Sequence, residues 1–314
     1  MFFRILLLIL LFTSTRSFAQ EPIGALSVEE GLPLEKVALG RLLFFDTRLS
    51  KNNTISCASC HDLSLNGTDS LPKAIGINDR LGNIKTPTVY NTAFNIAQFW
   101  DGRSRTLEAQ VSGPIHNPVE MGSHWIEVVE KLKRDAKINQ KFDDIYIEGV
   151  RAATIADAIA TFERSLVTVN APFDLWLKGD TDALSQDEKE GYRLFKAYGC
   201  ISCHQGKNVG GNMYAYMGAM GDYFADRDKP VSKADLGRFN VTGNEDDKYL
   251  FKVPSLRLVA LQKYFFHDAS ESSLENAIQV MARYQLGRSI SDEDAGKIAL
   301  FLHSLAGKHQ EMTP

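Results

Sequence analysis

Four cysteines occur in this 314-residue chain, and they fall into two pairs, each followed directly by a histidine: Cys57-Ala58-Ser59-Cys60-His61 and Cys200-Ile201-Ser202-Cys203-His204. Two thiols at this spacing reach the two vinyl groups of one porphyrin, and the next residue then lies beneath the iron, so C-x-x-C-H is the attachment signature of c-type haem. The same cysteine spacing serves disulfides, zinc ribbons and thioredoxin-like redox centres. None of those needs a histidine after each pair, and its repetition decides for two covalently attached haems c. Cys57, Cys60, Cys200 and Cys203 are the expected attachment points, and His61 and His204 the proximal iron ligands. No cysteine remains for a structural disulfide.

Haem of this type is attached outside the cytoplasm, and the first residues read accordingly. Arg4 gives a short positive start, residues 5–12 are an unbroken apolar run, and Ser17-Phe18-Ala19 offers small residues for cleavage. The run is too short to span a bilayer. Residues 1–19 are therefore expected to be a signal peptide, an uncleaved anchor being the rival, and the mature protein to be periplasmic rather than membrane-spanning. Cleavage there removes two arginines and no acid, taking the formal charge from -4 to -6. With 35 Lys plus Arg against 39 Asp plus Glu, the chain has no basic surplus with which to neutralise a phosphate backbone, which argues against nucleic acid as a partner.

The length favours two domains over one, and the motifs agree. Gly40-Arg41-Leu42-Leu43-Phe44 precedes the first motif and Gly191-Tyr192-Arg193-Leu194-Phe195 the second, an echo that a duplicated haem-binding helical domain would leave. Helical signals dominate elsewhere. Ile155, Ala158, Ile159, Phe162 and Leu166 recur at helical spacing with Thr154 as a cap. Ser185 with Glu188, Ser272 with Glu275 and Ser291 with Asp294 open three further helices, the last two ending near Gly287 and Gly307. Residues 171–182, with Pro172 and Gly179, mark a boundary, and the glycine-rich stretch 206–243 resists assignment. The expected fold is all-α: residues 20–170 and 171–314 as two cytochrome c-like domains with long loops.

Whether such an iron carries electrons or activates a peroxide depends on its sixth ligand, closed in the first case and open in the second. The remaining histidines are His116, His124, His267, His303 and His309, so none follows closely on the first motif. At this point the sequence resembles a family. Thr86-Pro87-Thr88-Val89-Tyr90-Asn91, Gln98-Phe99-Trp100-Asp101-Gly102-Arg103, Leu107-Glu108-Ala109-Gln110 and the run from Gly113-Pro114-Ile115-His116 through Asn117-Pro118-Val119-Glu120-Met121 are similar to bacterial diheme cytochrome c peroxidases. So are Ser165-Leu166-Val167-Thr168, Pro172-Phe173-Asp174-Leu175, Gly237-Arg238-Phe239-Asn240 and Phe301-Leu302-His303-Ser304-Leu305.

The resemblance implies an N-terminal haem on His61 that reduces hydrogen peroxide, and a C-terminal haem on His204 fed by a small cytochrome c or a copper protein (cupredoxin). It implies Met281 as sixth ligand of the second iron, Glu120 as the catalytic carboxylate, Gln110 as its hydrogen-bonding neighbour, Trp100 between the haems, and a homodimer. Each position has a plainer alternative. Met281 shares a helical face with Leu274, Ala277 and Ile278 and fits core packing, with Met213, Met217 and Met220 as rival ligands; an isolated Glu is usually solvated and a buried Trp is usually core.

The departures matter as much. Many family members hold a histidine on the peroxidatic iron at rest, supplied by the loop near Gly76-Ile77-Asn78; here the loop offers none, so an iron open in the oxidised protein is expected. Related diheme oxidases that modify tryptophans of a partner protein share this lack but place a tyrosine on the second iron, which keeps Tyr284 in view. A non-enzymatic diheme carrier, the third reading, needs both irons closed. His116, four residues before Glu120, is a further candidate for the distal pocket against the commoner exposed role. The family's calcium, bound by an asparagine before the Thr/Ser-Pro step, meets Lys85 here. An ammonium cannot ligate calcium but fills a cation's place electrostatically.

Overall fold

The computed structural model describes residues 21–312; the expected signal peptide, residues 1–19, lies outside them. In chain order the helices are α1 (Leu34–Phe44), α2 (Leu107–His116), α3 (Trp125–Lys133), α4 (Ala136–Ile145), α5 (Ala152–Ser165), α6 (Pro172–Leu177), α7 (Gln186–Tyr198), α8 (Tyr223–Asp226), α9 (Phe239–Thr242), α10 (Leu274–Leu286) and α11 (Asp292–Ser304). The all-α expectation needs one amendment: β1 (Tyr214–Tyr216) pairs antiparallel with β2 (Leu250–Lys252), Ala215 opposite Phe251. Between α1 and α2 the chain makes only single 3₁₀ turns, the first haem motif among them. None of the described helices is long and apolar enough to cross a membrane.

The echo ahead of the two motifs has a steric cause. Where α1 crosses α5, a Cβ on Gly40 would lie 1.9 Å from the Ala158 carbonyl oxygen and 2.8 Å from the Phe162 Cβ. Where α7 crosses α11, a Cβ on Gly191 would lie 1.9 Å from the Lys297 carbonyl oxygen and 3.0 Å from the Phe301 Cβ. Only glycine lets the backbones approach so closely. Just beyond each crossing, Leu43-Phe44 and Leu194-Phe195 turn into separate cores. Ile155 and Ile159 line the core of the first half, with Phe162 beside it, and Ile298 with Phe301 that of the second. Each such side chain contributes roughly 1.5–3 kcal/mol by leaving water.

The capping signals hold with local shifts. Ser185 accepts from the Glu188 amide while Glu188 accepts from the Ser185 amide, and Ser291 caps α11 through Asp294. Helix α10 is capped by Ser273, not Ser272, and it stops at Gly287 in the left-handed region. Thr154 lies inside the first turn of α5, accepting from the Arg151 amide and donating to the Gly149 carbonyl. Helix α11 ends at Ser304. Gly307 instead serves the next contact, where a Cβ would lie 2.5 Å from the Thr168 carbonyl oxygen.

The chain ends cross over. At the N-terminus, the Pro22 carbonyl accepts from the Gly206 amide, the Gly24 carbonyl from Arg257, and Ile23 is buried in the core of the second half. At the C-terminus, Lys308 pairs with Val169, Glu311 accepts twice from Arg41, and Ala306 and Met312 pack beside Phe44 and Phe162. Each half is thus strapped by a terminus of the other.

Candidate functional site

Both motifs fold as one 3₁₀ turn. In each, the histidine amide donates to the carbonyl of the first cysteine, 2.9 Å for His61 to Cys57 and 3.0 Å for His204 to Cys200. All four cysteines are free of disulfides. His61 Nδ1 lies 3.1 Å from the Gly67 carbonyl oxygen and His204 Nδ1 3.4 Å from that of Val209. Donation from Nδ1 leaves the lone pair on Nε2, the tautomer a metal needs. Burial pushes both imidazoles below their usual pKa, His204 to about 4, which keeps them neutral at physiological pH.

Beside the second motif lies a cavity of about 300 Å³ lined by Cys200, Cys203 and His204, by Met281 and Met217, and by a mainly apolar wall. The neutral donors and this cavity fit a haem. Of the rival methionines, Met217 shares the cavity with Met281, whereas Met213 and Met220 do not line it. The Tyr284 hydroxyl is 3.0 Å from Asp226 Oδ2, and Tyr284 is not among the lining residues.

Trp100 lines the same cavity and is held from both sides. Its Nε1 donates to the Lys85 carbonyl at 3.0 Å, and its own carbonyl accepts from the Lys252 amide at 2.9 Å. The Lys85 ammonium is 3% exposed and donates to the Thr86 carbonyl and to Gln262 Oε1, so it ties the first half of the chain to the second. Burial pushes it down to about 8. Against the other side of Trp100 stands His267, whose Nε2 is 2.7 Å from Asp235 Oδ1. Asp235 also pairs with Arg227, which pairs with Asp268. Those partners hold the Asp235 carboxyl well below the usual carboxylate range even though burial opposes them. A carboxylate so depressed stabilises the fold above its unfolded pKa and loses that contribution as pH falls. Removing one partner of such a buried pair costs about 3–5 kcal/mol.

Glu120 belongs to the first half. It is half-buried, it accepts a 2.6 Å hydrogen bond from Asn117 Nδ2, and its carbonyl accepts from the Ile77 amide. Burial raises its pKa; the Asn117 hydrogen bond and the charge of Arg103 offset part of that. Burial pushes the Cys60 thiol up, and the charges of Asp69 and Glu120 add to the rise. The loop at Ile77 is pinned here, since a Cβ on Gly76 would lie 2.0 Å from the Val119 carbonyl oxygen. Gln110, expected to hydrogen-bond Glu120, makes no side-chain hydrogen bond among the described residues; Asn117, the extended residue just past the end of α2, bonds Glu120 instead. The Asn117-to-Glu120 spacing of three was the available signal.

His116, the last residue of α2, is exposed and packs edge-on against Trp125, with ring centroids 6.1 Å apart. Replacing it with Ala is expected to leave turnover and haem spectra unchanged; altered spectra would return it to the distal pocket. Among the described residues no group of three His, Cys, Asp or Glu side chains is arranged to hold a metal ion directly.

Residues 34–182 match the family described as di-haem cytochrome c peroxidase. The chain is 44% identical over 291 residues to cytochrome c551 peroxidase of Nitrosomonas europaea, covering 92% of this chain and 85% of that protein. It is 43% identical over 289 residues to cytochrome c peroxidase Ccp of Escherichia coli (strain K12), covering 91% of this chain and 61% of that longer protein. Among solved structures it is similar to a MauG-like protein associated with microbial copper homeostasis, with a TM-score of 0.78, 25% identity, and coverage of 93% of this chain and 96% of that one.

Proposed function

The chain belongs to the di-haem cytochrome c peroxidase family, and from that membership we propose that it reduces hydrogen peroxide to water in the periplasm, drawing electrons from a small cytochrome c or a copper protein. Each turnover takes up two electrons, delivered singly, and two protons; the O–O bond breaks and two water molecules leave. Cys57, Cys60 and His61 would hold one haem c and Cys200, Cys203 and His204 the other, and these would supply the redox-active iron.

The remaining work falls to side chains. Glu120 takes a proton from one peroxide oxygen and returns it to the oxygen that departs. Burial raises its proton affinity and Asn117 limits the rise, which suits a group that must both accept and donate. Met281, which lines the cavity with His204, would hold the second haem, and a thioether ligand would give that haem the raised potential of an electron reservoir. Trp100 lies on the path between the two sites. The half-buried Glu120, bonded by Asn117 and joined through its carbonyl to a loop that carries Ile77 rather than histidine, is the observation that carries this reading.

The paired glycine crossings support two haem domains related by duplication, residues 20–170 and 171–314, with their terminal straps exchanged. Lys85 serves as the interdomain cation, its ammonium on a backbone carbonyl and a glutamine oxygen. Calorimetric titration is accordingly expected to find no tight calcium site, and tight binding would refute the substitution. The oxidase reading needs Tyr284 on the second iron, and the bond to Asp226 speaks against it. Stopped-flow mixing of peroxide with the enzyme and a reduced small cytochrome c tests the proposal: rapid donor oxidation is expected. A long-lived oxidised state without donor turnover would favour the oxidase, and spectral silence a mere carrier.

A further inference from the structure

Lys252 is the last residue of β2, and it lines the cavity beside the second motif. It is 7% exposed, and its ammonium has no hydrogen-bond or ion-pair partner among the described residues. Desolvation pushes its pKa down to about 8, the mark of a buried cation without a counter-charge. No aspartate or glutamate lines the cavity. Asp235, the partner of the cavity-lining His267, is committed to that histidine and to Arg227. A buried lysine without a counter-charge on the wall of an acid-free cavity calls for an anion from the occupant, and haem would bring two propionate carboxylates.

We propose that Lys252 is a positioning residue that pairs with a propionate of the C-terminal haem. The inference rests on the two-haem reading. Lys252 is fixed in place by the hydrogen bond its amide N–H donates to the Trp100 carbonyl, so the pairing would turn the acidic edge of that haem toward Trp100 and the first half of the chain. The charge also favours the reduced iron.

The test uses the full holoprotein. Lys252→Met is expected to retain two haems per chain by pyridine haemochrome assay, because attachment depends on Cys200 and Cys203. The midpoint potential of the C-terminal haem should fall in spectroelectrochemical titration, and its propionate bending band should shift in the resonance Raman spectrum. Lys252→Arg, which keeps the charge, should restore the potential. If Lys252→Met does not accumulate, Lys252→Gln, which keeps a polar tip, gives the same two readouts. An unchanged potential together with an unchanged band, in a variant holding two haems, overturns the assignment. Fewer than two haems in the wild-type protein would instead overturn the reading on which it rests.

Discussion

Replacing Glu120 by Gln is expected to lower kcat for hydrogen peroxide by roughly 10²–10⁴-fold, the range associated with a positioned proton-transfer group. Gln keeps the side chain's shape and can still meet the Asn117 amide, so haem content, the ferric spectrum and thermal stability should stay near wild type. The pH profile gives a second reading of the same carboxylate. To take a proton from peroxide Glu120 must be ionised, and burial raises its pKa, so the acid limb of kcat/KM should lie above the usual carboxylate range. Asn117→Ala removes a donor that stabilises the ionised form, and it should move that limb further up in pH. Wild-type turnover by Glu120→Gln would mean that the proton travels by another route.

As isolated and fully oxidised, the protein is expected to show one high-spin and one low-spin ferric signal by EPR, to bind cyanide at the N-terminal haem, and to reach full turnover without a reductive lag. The expectation follows from the loop that carries Ile77 in place of a ligating histidine. Ile77 is 4% exposed, its amide is bonded to the Glu120 carbonyl, and its neighbour Gly76 is wedged against Val119. No side chain in this stretch can serve as a strong iron ligand. Two low-spin signals, with activity appearing only after prior reduction, would show that some other residue caps the first iron.

What the sequence carried and what it did not divide along physical lines. The two C-x-x-C-H motifs are local patterns of fixed short spacing and need no tertiary information to be seen. The lead-in glycines were legible as an echo, though their cause, a backbone contact with helices more than a hundred residues away, was not. Helix caps such as Ser185 and Ser291 depend on hydrogen bonds three residues long and were read correctly. The start of α10 slipped by one residue because Ser272 and Ser273 compete for one cap. Asn117 escaped notice as the partner of Glu120 because a family position, Gln110, offered a ready candidate. Lys252, Asp235 and His267 carry no local signature. Their meaning lies in burial and in what they face, which only the folded chain displays.

The crossed ends have a consequence for how the protein is made. Arg257 meets Gly24 across 233 positions, and Arg41 meets Glu311 across 270. The entropy lost in closing such loops grows only with the logarithm of their length, yet contacts this far apart in sequence form late. A chain synthesised from its N-terminus holds residues 22–24 ready long before Gly206 and Arg257 exist to receive them. The seal over the second core therefore waits until Arg257 has been made, 233 positions after Gly24. Once the clasp has shut, pulling on either end loosens the core that belongs to the opposite half.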